Sequence, residues 1–393
     1  MHTALLILNA GSSSLKFAIY QSDAEGSLSI EYRGGIEAIG PRARFQVSQA
    51  PDAADQINLA LALNDHEHAL QHLLTWLEAR HPGRTFRAAG HRVVHGGARF
   101  SQPINVDAGI LAALDALIPL SPLHQPHNLA AIRALARLRP DLPQVACFDT
   151  AFHHTLPAVA QRFALPRELH DRGLRRYGFH GLSYEYIASV LPDYLGDAAD
   201  GRIVVAHLGN GASLCAMRQR RSLETSMSFT PLDGLPMGSR CGALDPGVLL
   251  YLQREAGMSL DQIDTLLNRK SGLLGVSSLS ADVRELQASE DAHAAEALAL
   301  FAYRTSQAIA SHAVALGGID ALVFTAGIGE HAVEVRAAIC QHLAWLGLHL
   351  DQDANQRHGP RISTETSPIS AWVIPTNEER VIARHAWRLS RSD

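Results

Sequence analysis

The chain has 393 residues, and 34 Lys and Arg against 39 Asp and Glu give a formal charge of −5 with His neutral. A single hydrophobic core stops growing at about 250–300 residues, so this length predicts two domains. Hydrophobic residues at 47% and charged residues at 19% exclude an intrinsically disordered chain. The mildly acidic balance argues against nucleic acid or an anionic membrane as the main partner.

The N-terminal segment, the lack of a long apolar stretch and the cysteines predict a cytoplasmic protein. The apolar start, Met1 to Leu8, lacks a basic region and meets Asn9 too early for a signal peptide. No stretch approaches the ~18 apolar residues that a membrane span requires. The cysteines form no CxxC pair, which predicts small buried residues in a reducing compartment: Cys147, Cys215, Cys241 and Cys340.

Two similar hairpins are predicted about half the chain apart. The apolar runs 4–8 and 15–20 flank a Gly/Ser turn, and the runs 203–208 and 214–217 flank a second small polar turn. An ancient duplication into two similar lobes explains this spacing. Chance similarity of two hairpins is the alternative.

Helical patterns fall between the strands. Apolar periodicity predicts helices over 66–80, from Ser259 to about 271, over 292–316 and over 333–346. Ser259 and Gln262 have the spacing of a capping box. The segment 320–325 is typical of a buried strand, with Gly327 to Gly329 as the turn after it. Strands mixed with helices in both halves predict the α/β class.

Three turns rich in Gly, Ser and Asn follow apolar strands. They are 9–14 with Lys16 after it, 209–213 and 326–330. Such turns direct several backbone N–H groups to one point, which favours phosphate binding. Each alone is more often a simple tight turn. Neither GxxxxGK[ST] nor GxGxxG is present, which disfavours the P-loop and Rossmann interpretations.

Ten ordered segments resemble the acetokinase family of the acetate and sugar kinase, Hsp70 and actin superfamily. They cover nearly the whole chain: LILNAGSSSLKF (6–17), GHRVVHGG (90–97), SPLHQP (121–126), CFDTAFH (147–153), RRYGFHG (175–181), HLGNGAS (207–213), ETSMSFTPLDGLPMGSRCG (224–242), SADVREL (280–286), FTAGIGE (324–330) and IPTNEE (374–379). The resemblance implies an α/β protein with two duplicated ribonuclease H-like lobes, the actin-like ATPase fold, and an active-site cleft between them. It places the first lobe at 1–150 plus about 381–393. The second lobe, 151–380, would bind nucleotide and form a homodimer.

The resemblance also implies acetate kinase chemistry, in which ATP and acetate give acetyl phosphate and ADP by reversible, in-line phosphoryl transfer. A carboxylate is already ionised at neutral pH, so its attack on phosphorus needs no strong general base. It needs charge cancellation, which cationic donors and a metal ion supply. The implied metal is Mg²⁺, with Mn²⁺ as a substitute, and ATP is the co-substrate.

Four residues match the family's catalytic positions. Arg92 and Arg240 match its two active-site arginines, although a surface salt bridge is the usual interpretation of a lone arginine. His180 matches the histidine that hydrogen-bonds the phosphoryl group in the transition state. Asp149 ends an apolar run and matches the catalytic aspartate, whose role is to orient Mg²⁺ or to position substrate. Whether it also moves a proton is left open.

The metal and supporting positions follow in the same way. Asn9 and Glu378 match positions associated with magnesium, and an oxygen-rich, partly hydrated site suits that ion. Glu378 could instead cap the final helix. His124 and His207 match two further active-site histidines. The other histidines are predicted to be ordinary core or surface residues, and zinc is disfavoured because no second ligand pair follows at metal spacing.

Two sets of residues match the family's ligand pockets. The nucleotide set is Lys16, His207, Leu208, Gly209, Asn210 and Gly211 on the phosphate side, with Asp282, Val283, Arg284, Gly327, Ile328, Gly329, Glu330 and His331 on the adenosine side. The acyl set is Val94, Leu123, His124, Phe179 and Pro231, with Arg92. The bulky acyl set leaves room for acetate, and one methylene changes discrimination by only ~1–3 kcal/mol. Propionate kinase is therefore the nearest rival.

The sequence departs from the usual family pattern at a few positions, and other functions compete. The departures are Gln125, Leu182, Tyr184, Ser239 and His331, the last on the adenosine side.

Among competing functions, a sugar kinase of the superfamily is a distant rival. From another class, an Hsp70- or actin-like nucleotide switch would need neither Arg92 with Arg240 nor a small apolar pocket.

Overall fold

The chain divides into two compact units. The computed structural model describes residues 3–23, 26–52 and 55–390. One unit is Met1–Ala151 with Asn377–Asp393, and the other is Phe152–Thr376. The sequence places the return to the first lobe at about 381, whereas the whole final helix lies in the first unit here. Residues 1, 2, 24, 25, 53, 54 and 391–393 of the predicted first lobe lie outside the described residues.

The first unit is built on one mixed sheet. Its strands are β1 (Thr3–Ala10), β2 (Leu15–Ser22), β3 (Leu28–Glu37), β4 (Ala43–Gln49), β5 (Ile57–Leu61), β6 (Phe86–Val93), β7 (Ile104–Asn105) and β8 (Gln144–Phe148). Its helices, numbered in chain order, are α1 (His66–Arg80), α2 (Ala108–Asp115), α3 (Gln125–Leu138) and α14 (Glu378–Leu389). In the described ranges the strand order is β5-β4-β3-β2-β1-β6-β8-β7.

The helix predicted over 66–80 is confirmed as α1. Asp65 accepts a hydrogen bond from the His68 N–H group and begins the helix, which ends before Pro82-Gly83. The face that the helix buries carries Ala69, Leu70, Leu73, Trp76 and Leu77. These side chains belong to the same apolar core as β1 and β2, so the amphipathic pattern attaches the helix to the sheet.

The second unit contains a smaller sheet surrounded by helices. Its strands are β9 (Ile203–Leu208), β10 (Ala212–Arg218), β11 (Arg221–Thr225), β12 (Ala321–Thr325) and β13 (Ser370–Val373). Its helices are α4 (Arg167–Asp171), α5 (Gly181–Leu195), α6 (Pro246–Arg254), α7 (Leu260–Arg269), α8 (Gly272–Ser277), α9 (Val283–Gln287), α10 (Ala292–Leu316), α11 (Ala326–His331), α12 (Val333–His342) and α13 (Gln352–Gln356). The predicted capping box of Ser259 and Gln262 begins α7, and α10 ends at Gly317 as predicted.

The two sheets repeat one topology. The second unit has the strand order β11-β10-β9-β12-β13, with the first two pairs antiparallel and the last two parallel. The strands β3-β2-β1-β6-β8 follow the same order and the same directions. Both predicted hairpins and the α/β class are confirmed. A shared five-strand pattern favours duplication over chance similarity.

Two predictions near residue 330 are wrong. Gly327 to Gly329 lie in helix α11, which begins directly after β12, and not in a turn. The Glu330 carboxylate stabilises the helix start by accepting a hydrogen bond from the Ala326 N–H group at 2.8 Å, and Ala326 itself has a left-handed φ of 64°. The helix predicted over 333–346 ends at His342, and a 3₁₀ turn covers Ala344–Leu346.

Burial of the cysteines follows the prediction in part. Cys147, Cys215 and Cys340 are buried, whereas Cys241 is partly exposed.

Among the helices of the described ranges, none combines the length and the apolarity that crossing a bilayer requires.

Three buried histidines predict a loss of stability in acid. Burial lowers the pKa of His91, His95 and His153 from 6.5 to about 4. Between these pH values the unfolded chain binds protons that the folded chain does not, so stability falls as the pH decreases from 6.5 towards 4. Each group contributes a slope of about 1.4 kcal/mol per pH unit. Urea unfolding at several pH values should show this decline.

Substituting one of the three buried histidines tests its contribution to the pH dependence of stability. The change His153→Gln should flatten the pH dependence of the urea midpoint, while His154→Gln, at the exposed neighbouring residue, should leave it unchanged. Equal slopes for His153→Gln and the unchanged protein would contradict the assignment.

Candidate active site

In the first unit, polar residues lie at the carboxyl ends of three parallel strands. Asn9 lies near the end of β1, Arg92 lies near the end of β6, and Asp149 follows β8. The strands β1, β6 and β8 are paired in parallel, so their ends meet at one sheet edge. The Asp149 N–H group donates to the Val93 carbonyl at 3.0 Å, which extends this pairing by one residue.

Arg92 and Asp149 form a charge-assisted pair at this edge. The Nη2 and Nε atoms of Arg92 donate to Asp149 Oδ2 at 2.6 and 3.1 Å, and Nε also lies 3.0 Å from Oδ1. Asp149 is only 1% exposed, so this guanidinium stabilises a buried carboxylate. Arg92 Nη1 donates to Asn9 Oδ1 at 3.3 Å. Burial alone would lower the pKa of Arg92, but the carboxylates of Asp149 and Glu378 raise it above its ordinary value.

Glu378 is the first residue of α14, and its neighbour Asn377 caps the helix. The Asn377 side chain accepts a hydrogen bond from the Arg380 N–H group at 3.0 Å. The capping role considered for Glu378 therefore belongs to Asn377. The Tyr20 hydroxyl donates to Asn377 and Arg33 donates to Glu379, so side chains from β2 and β3 hold this helix start.

The donor chemistry around Arg92 fits Mg²⁺. Asn9 supplies an amide oxygen, and Asp149 and Glu378 supply carboxylates that both act on the Arg92 charge. Mg²⁺ takes one or two carboxylates and keeps several waters. Across residues 3–23, 26–52 and 55–390, no three His, Cys, Asp or Glu side chains form a metal cage.

The loop after β6 is held by polar side chains that sequence reasoning did not assign to the site. Asn128 accepts from the Val94 N–H group and donates to the Ala10 carbonyl, at 2.9 and 2.7 Å. Gln125 accepts from the His95 N–H group at 3.2 Å and donates to its carbonyl at 3.1 Å. Gln125 and Asn128 are buried polar residues near the start of α3. Polar residues on the apolar face of this helix were the signal available in the sequence.

His180 and His207 stack in the second unit. Their ring centroids are 4.2 Å apart. His180 begins α5 with a left-handed φ of 58°, and its Nδ1 lies 2.8 Å from the Ser213 hydroxyl, which also contacts the Tyr184 hydroxyl at 2.5 Å. His207 Nδ1 lies 2.8 Å from the Ser183 hydroxyl. Leu182 is buried beside these groups on the same helix, and the hydroxyls fix both rings.

Arg240 lies beside the turn after β9. Its Nη1 donates to the Pro231 carbonyl at 2.5 Å. A Cβ added at Gly211 would lie 2.6 Å from Arg240 Nη2 and 3.3 Å from His180 Nε2. Glycine is therefore the residue that lets this turn approach both the Arg240 guanidinium and the His180 imidazole. The loop that carries Arg240 is fastened to α8, where the Leu273 N–H group donates to the Met237 carbonyl at 2.9 Å.

A cavity of about 390 Å³ lies in the second unit, and three of the predicted nucleotide segments line it. Its lining residues are Gly209, Asn210, Ala281, Asp282, Val283, Arg284, Gln287, Gly327, Ile328, His331 and Ala332. Sequence reasoning missed Ala281, Gln287 and Ala332, each of which lies within a few residues of a predicted residue. His207, Leu208, Gly211 and Gly329 lie outside the lining. The Glu330 carboxylate accepts from Ala326 and Thr376 N–H groups instead, at 2.8 and 3.1 Å.

The remaining predicted residues are divided between the units. Lys16 is exposed on β2, directly opposite Asn9 in register, and lines a cavity of about 270 Å³ with Arg33 and Glu379. Of the acyl set, Val94, Leu123 and His124 belong to the first unit, and Phe179 and Pro231 belong to the second. Val94 and Phe179 are buried, and His124 is exposed at the start of α3.

Comparison with known proteins identifies relatives along the entire chain. The model of the acetokinase family matches residues 4–384. An acetate kinase of Rhodopseudomonas palustris is 55% identical over 394 residues, covering 99% of each chain. The crystal structure of a propionate kinase from Francisella tularensis is similar with a TM-score of 0.92 at 37% identity, covering 98% of this chain and 100% of that one. That of Porphyromonas gingivalis acetate kinase gives a TM-score of 0.88 at 35% identity, covering 98% and 99%.

The burial of Asp149 predicts which arginine matters for stability. The change Arg92→Met should lower the free energy of unfolding by about 3–5 kcal/mol, because a buried carboxylate loses the guanidinium that donates to both of its oxygens. Arg284→Met removes the partner of Asp282, but the Arg284 side chain is 88% exposed, and solvent screens the pair. Urea denaturation of both variants measures the difference. Adding Asp149→Asn to Arg92→Met should recover part of the loss, and equal midpoints for the two single variants would refute this account.

Proposed function

The chain belongs to the acetokinase family, and from that premise we propose that it is an acetate kinase, a phosphotransferase whose acceptor is a carboxyl group. It transfers the γ-phosphoryl group of ATP to acetate, giving acetyl phosphate and ADP, and catalyses the reverse reaction. The transfer is direct and in line, and it depends on Mg²⁺.

One feature of the second unit carries the proposal. The turn after β9 lines the 390 Å³ cavity with Gly209 and Asn210, and at Gly211 it adjoins Arg240 and His180. A nucleoside bound in the cavity would extend its phosphates along this turn towards the guanidinium and the imidazole. Backbone N–H groups and cations at one place are the arrangement that phosphoryl transfer uses.

The negative charges of the two substrates suggest a separate role for each arginine. Acetate is an anion that approaches a polyanion, and the transition state spreads charge over three equatorial oxygens. Arg240 would donate to those oxygens together with His180, and Arg92 would bind the acetate carboxylate. A guanidinium suits both tasks because it is planar, bidentate and charged at any working pH.

Asn9, Asp149 and Glu378 would hold Mg²⁺ by way of their oxygens and of bound water. When bound, Mg²⁺ neutralises charge on the phosphate oxygens and orients the γ-phosphoryl group. Asp149 keeps Arg92 in its bidentate orientation at the same time, since both Nε and Nη2 donate to it. Lys16, opposite Asn9 on the neighbouring strand, would contribute a further cation to the phosphates.

The adenosine end of the site would use the remaining cavity. Arg284 and His331 are exposed at its rim, and Val283 and Ile328 supply apolar surface. The apolar part of this lining would accept a purine by van der Waals contact, and the polar side chains around it could fix the orientation of the base. The position of His331 is therefore where a preference for ATP over other nucleotides would be set.

The acceptor acid is a short fatty acid, and propionate is the second candidate. Val94, Leu123, Phe179 and Pro231 are the apolar side chains available to its methyl group. The structural similarity to a propionate kinase, with its TM-score of 0.92, favours testing the longer acid. Because one methylene is worth only ~1–3 kcal/mol, both acids should react, with acetate preferred.

The second unit would also form a homodimer, and α6 supports this. In that helix no side chain is buried, although it carries Val248, Leu250 and Tyr251, the last 63% exposed. Leu244 before the helix and Leu260 at the start of α7 are 42% and 70% exposed. An apolar face of this kind is typical of an association surface.

The activity can be tested by trapping the product. Mixing the protein with Mg-ATP, hydroxylamine and acetate, propionate or butyrate should give acyl hydroxamate, most from acetate and less from propionate. Chelation of the metal with EDTA should abolish the reaction. The absence of hydroxamate from every acid would refute the kinase proposal and favour a nucleotide switch.

The variant Arg240→Ala tests the assigned role of the guanidinium. We expect loss of most hydroxamate formation, on the order of 100-fold or more, because a transition-state donor is removed. Binding of ATP, measured by calorimetry, should persist. The matched variant Arg220→Ala removes an exposed arginine that pairs with Asp200 and should retain activity. Retained turnover in Arg240→Ala would show that the assignment is wrong.

Sedimentation velocity tests the homodimer. The unchanged protein should sediment with twice the 42.5 kDa of one chain. Joint replacement Tyr251→Asp and Leu260→Asp should give monomers, because charges would enter the association surface. Val159→Asp alters an apolar residue that is 82% exposed elsewhere and should leave the dimer intact. A monomeric unchanged protein at micromolar concentration would exclude this assembly.

A further inference from the structure

Arg336 on α12 is a buried arginine that the proposed mechanism does not use. Its residue is 0% exposed, and it has the greatest volume among the fully buried side chains of the described ranges. No ion pair joins it to a carboxylate among those residues. Burial lowers its pKa to about 10, so it is still charged at neutral pH. A charge in this position requires compensation by hydrogen bonds.

Backbone carbonyls and one amide provide that compensation. Arg336 Nη1 donates to the carbonyls of Gly329 and Glu330, both at 2.9 Å. Its Nε donates to Asn355 Oδ1 at 2.8 Å, and Nη2 donates to the Asn355 carbonyl at 2.9 Å. Nη2 also donates to His358 Nδ1 at 3.2 Å. The guanidinium therefore joins the end of α11 to the segment around α13.

The carbonyls that Arg336 binds belong to the last turn of α11. The final carbonyls of a helix lack partners within the helix and carry its partial negative charge, so a cation there is favourable. The same helix lines the 390 Å³ cavity with Gly327, Ile328 and His331. At its other end the Glu330 carboxylate accepts from the Ala326 N–H group. A helix of six residues is thus held by a side chain at each end.

His358 extends the contact towards the cavity. Because Arg336 can only donate, His358 Nδ1 is the acceptor of this hydrogen bond. The ring of His358 lies edge-on to the ring of His331, with centroids 6.1 Å apart and planes at 77°. His331 lines the cavity, so the buried guanidinium is linked to two parts of the lining: the backbone of α11 and, through His358, the side chain of His331.

We propose that Arg336 is a positioning residue for nucleotide, whose guanidinium fork fixes α11 against the cavity and thereby sets the affinity for ATP and ADP. The inference rests on the proposed function only in taking the cavity as the nucleotide site. Arg336 lies outside the lining, so it acts through α11. A lysine at this position would keep the charge, but a single ammonium does not reproduce the planar fork that binds carbonyls on one side and Asn355 on the other.

Calorimetric titration of the full chain with ADP in EDTA tests this without turnover or metal. Arg336→Lys should raise the dissociation constant for ADP about tenfold, since at least one hydrogen bond that orders α11 is lost. In steady-state assays the same variant should raise KM for ATP while leaving KM for acetate within about twofold of the unchanged protein. Unchanged ADP affinity in folded Arg336→Lys would overturn the inference.

The control is Arg361→Met, which removes another arginine of the second unit that donates to backbone carbonyls and also to the Ser363 hydroxyl. Arg361 donates to the carbonyls of Thr364 and Glu365 and lines no part of the nucleotide cavity. We expect a lowered melting temperature with unchanged ADP affinity. If Arg361→Met weakened ADP binding as much as Arg336→Lys does, the loss of affinity would be due to general destabilisation, and the inference would be overturned.

Asn355→Ser provides a milder test should Arg336→Lys be insoluble. It removes the side-chain acceptor of Nε while keeping the arginine, and about threefold weaker ADP binding is expected. Unchanged affinity in this variant would also overturn the inference. If the unchanged protein fails to bind ADP, the nucleotide site itself is refuted together with this inference. Normal binding by the unchanged protein and by both variants would refute this inference alone.

Discussion

The parallel pairing of strands within each sheet determines where the chemical groups of the candidate site stand. In the first unit, β1, β6 and β8 end at one edge and deliver Asn9, Arg92 and Asp149 to it. In the second unit, the parallel strands β9 and β12 lead directly into the glycine turn at 209–211 and into α11. Side chains at the ends of neighbouring strands stand about 5 Å apart without any special loop. The repeated strand order therefore supplies two sets of candidate positions from one folding pattern.

The charges of Arg92, which is partly buried, and Arg336, which is fully buried, are stabilised in different ways. Arg92 is balanced by the carboxylate of Asp149, so its bidentate geometry is set by an opposite charge. Arg336 is balanced by carbonyl dipoles and an amide, so its position is set by the backbone that it binds. The pairing with Asp149 leaves 27% of the Arg92 side chain exposed. The Arg336 guanidinium, in contrast, uses all of its N–H groups in hydrogen bonds within the protein. The two arginines are thus distinguished by the groups that neutralise them.

Much of the fold could be predicted because it rests on local patterns. The two hairpins, the capping box at Ser259 and the long helix ending at Gly317 each depend on residues close in the chain. Short family-like segments also located most of the cavity lining. The start of α11 could not be predicted, because Gly327 and Gly329 resemble a turn until Glu330 caps the helix. Asn128 and Arg336 were missed for a related reason, since polar residues in helices usually indicate a solvated face. Only long-range contacts reveal that Arg336 is buried, whereas Asn128 shares the apolar face of its helix with Ile132 and Leu135.

The partial exposure of Cys241 has a practical consequence for work on this chain. Cys147, Cys215 and Cys340 are buried, so a thiol-reactive fluorophore or spin label would attach first at Cys241 in the folded protein. Attachment would be slow near neutral pH, because burial raises the pKa of this thiol and the thiolate is the reactive form. The label would stand one residue from Arg240, and it would lie at a cavity of about 930 Å³ that Cys241 itself lines. The native sequence thus already contains a site for a spectroscopic reporter of that loop, without any engineered cysteine.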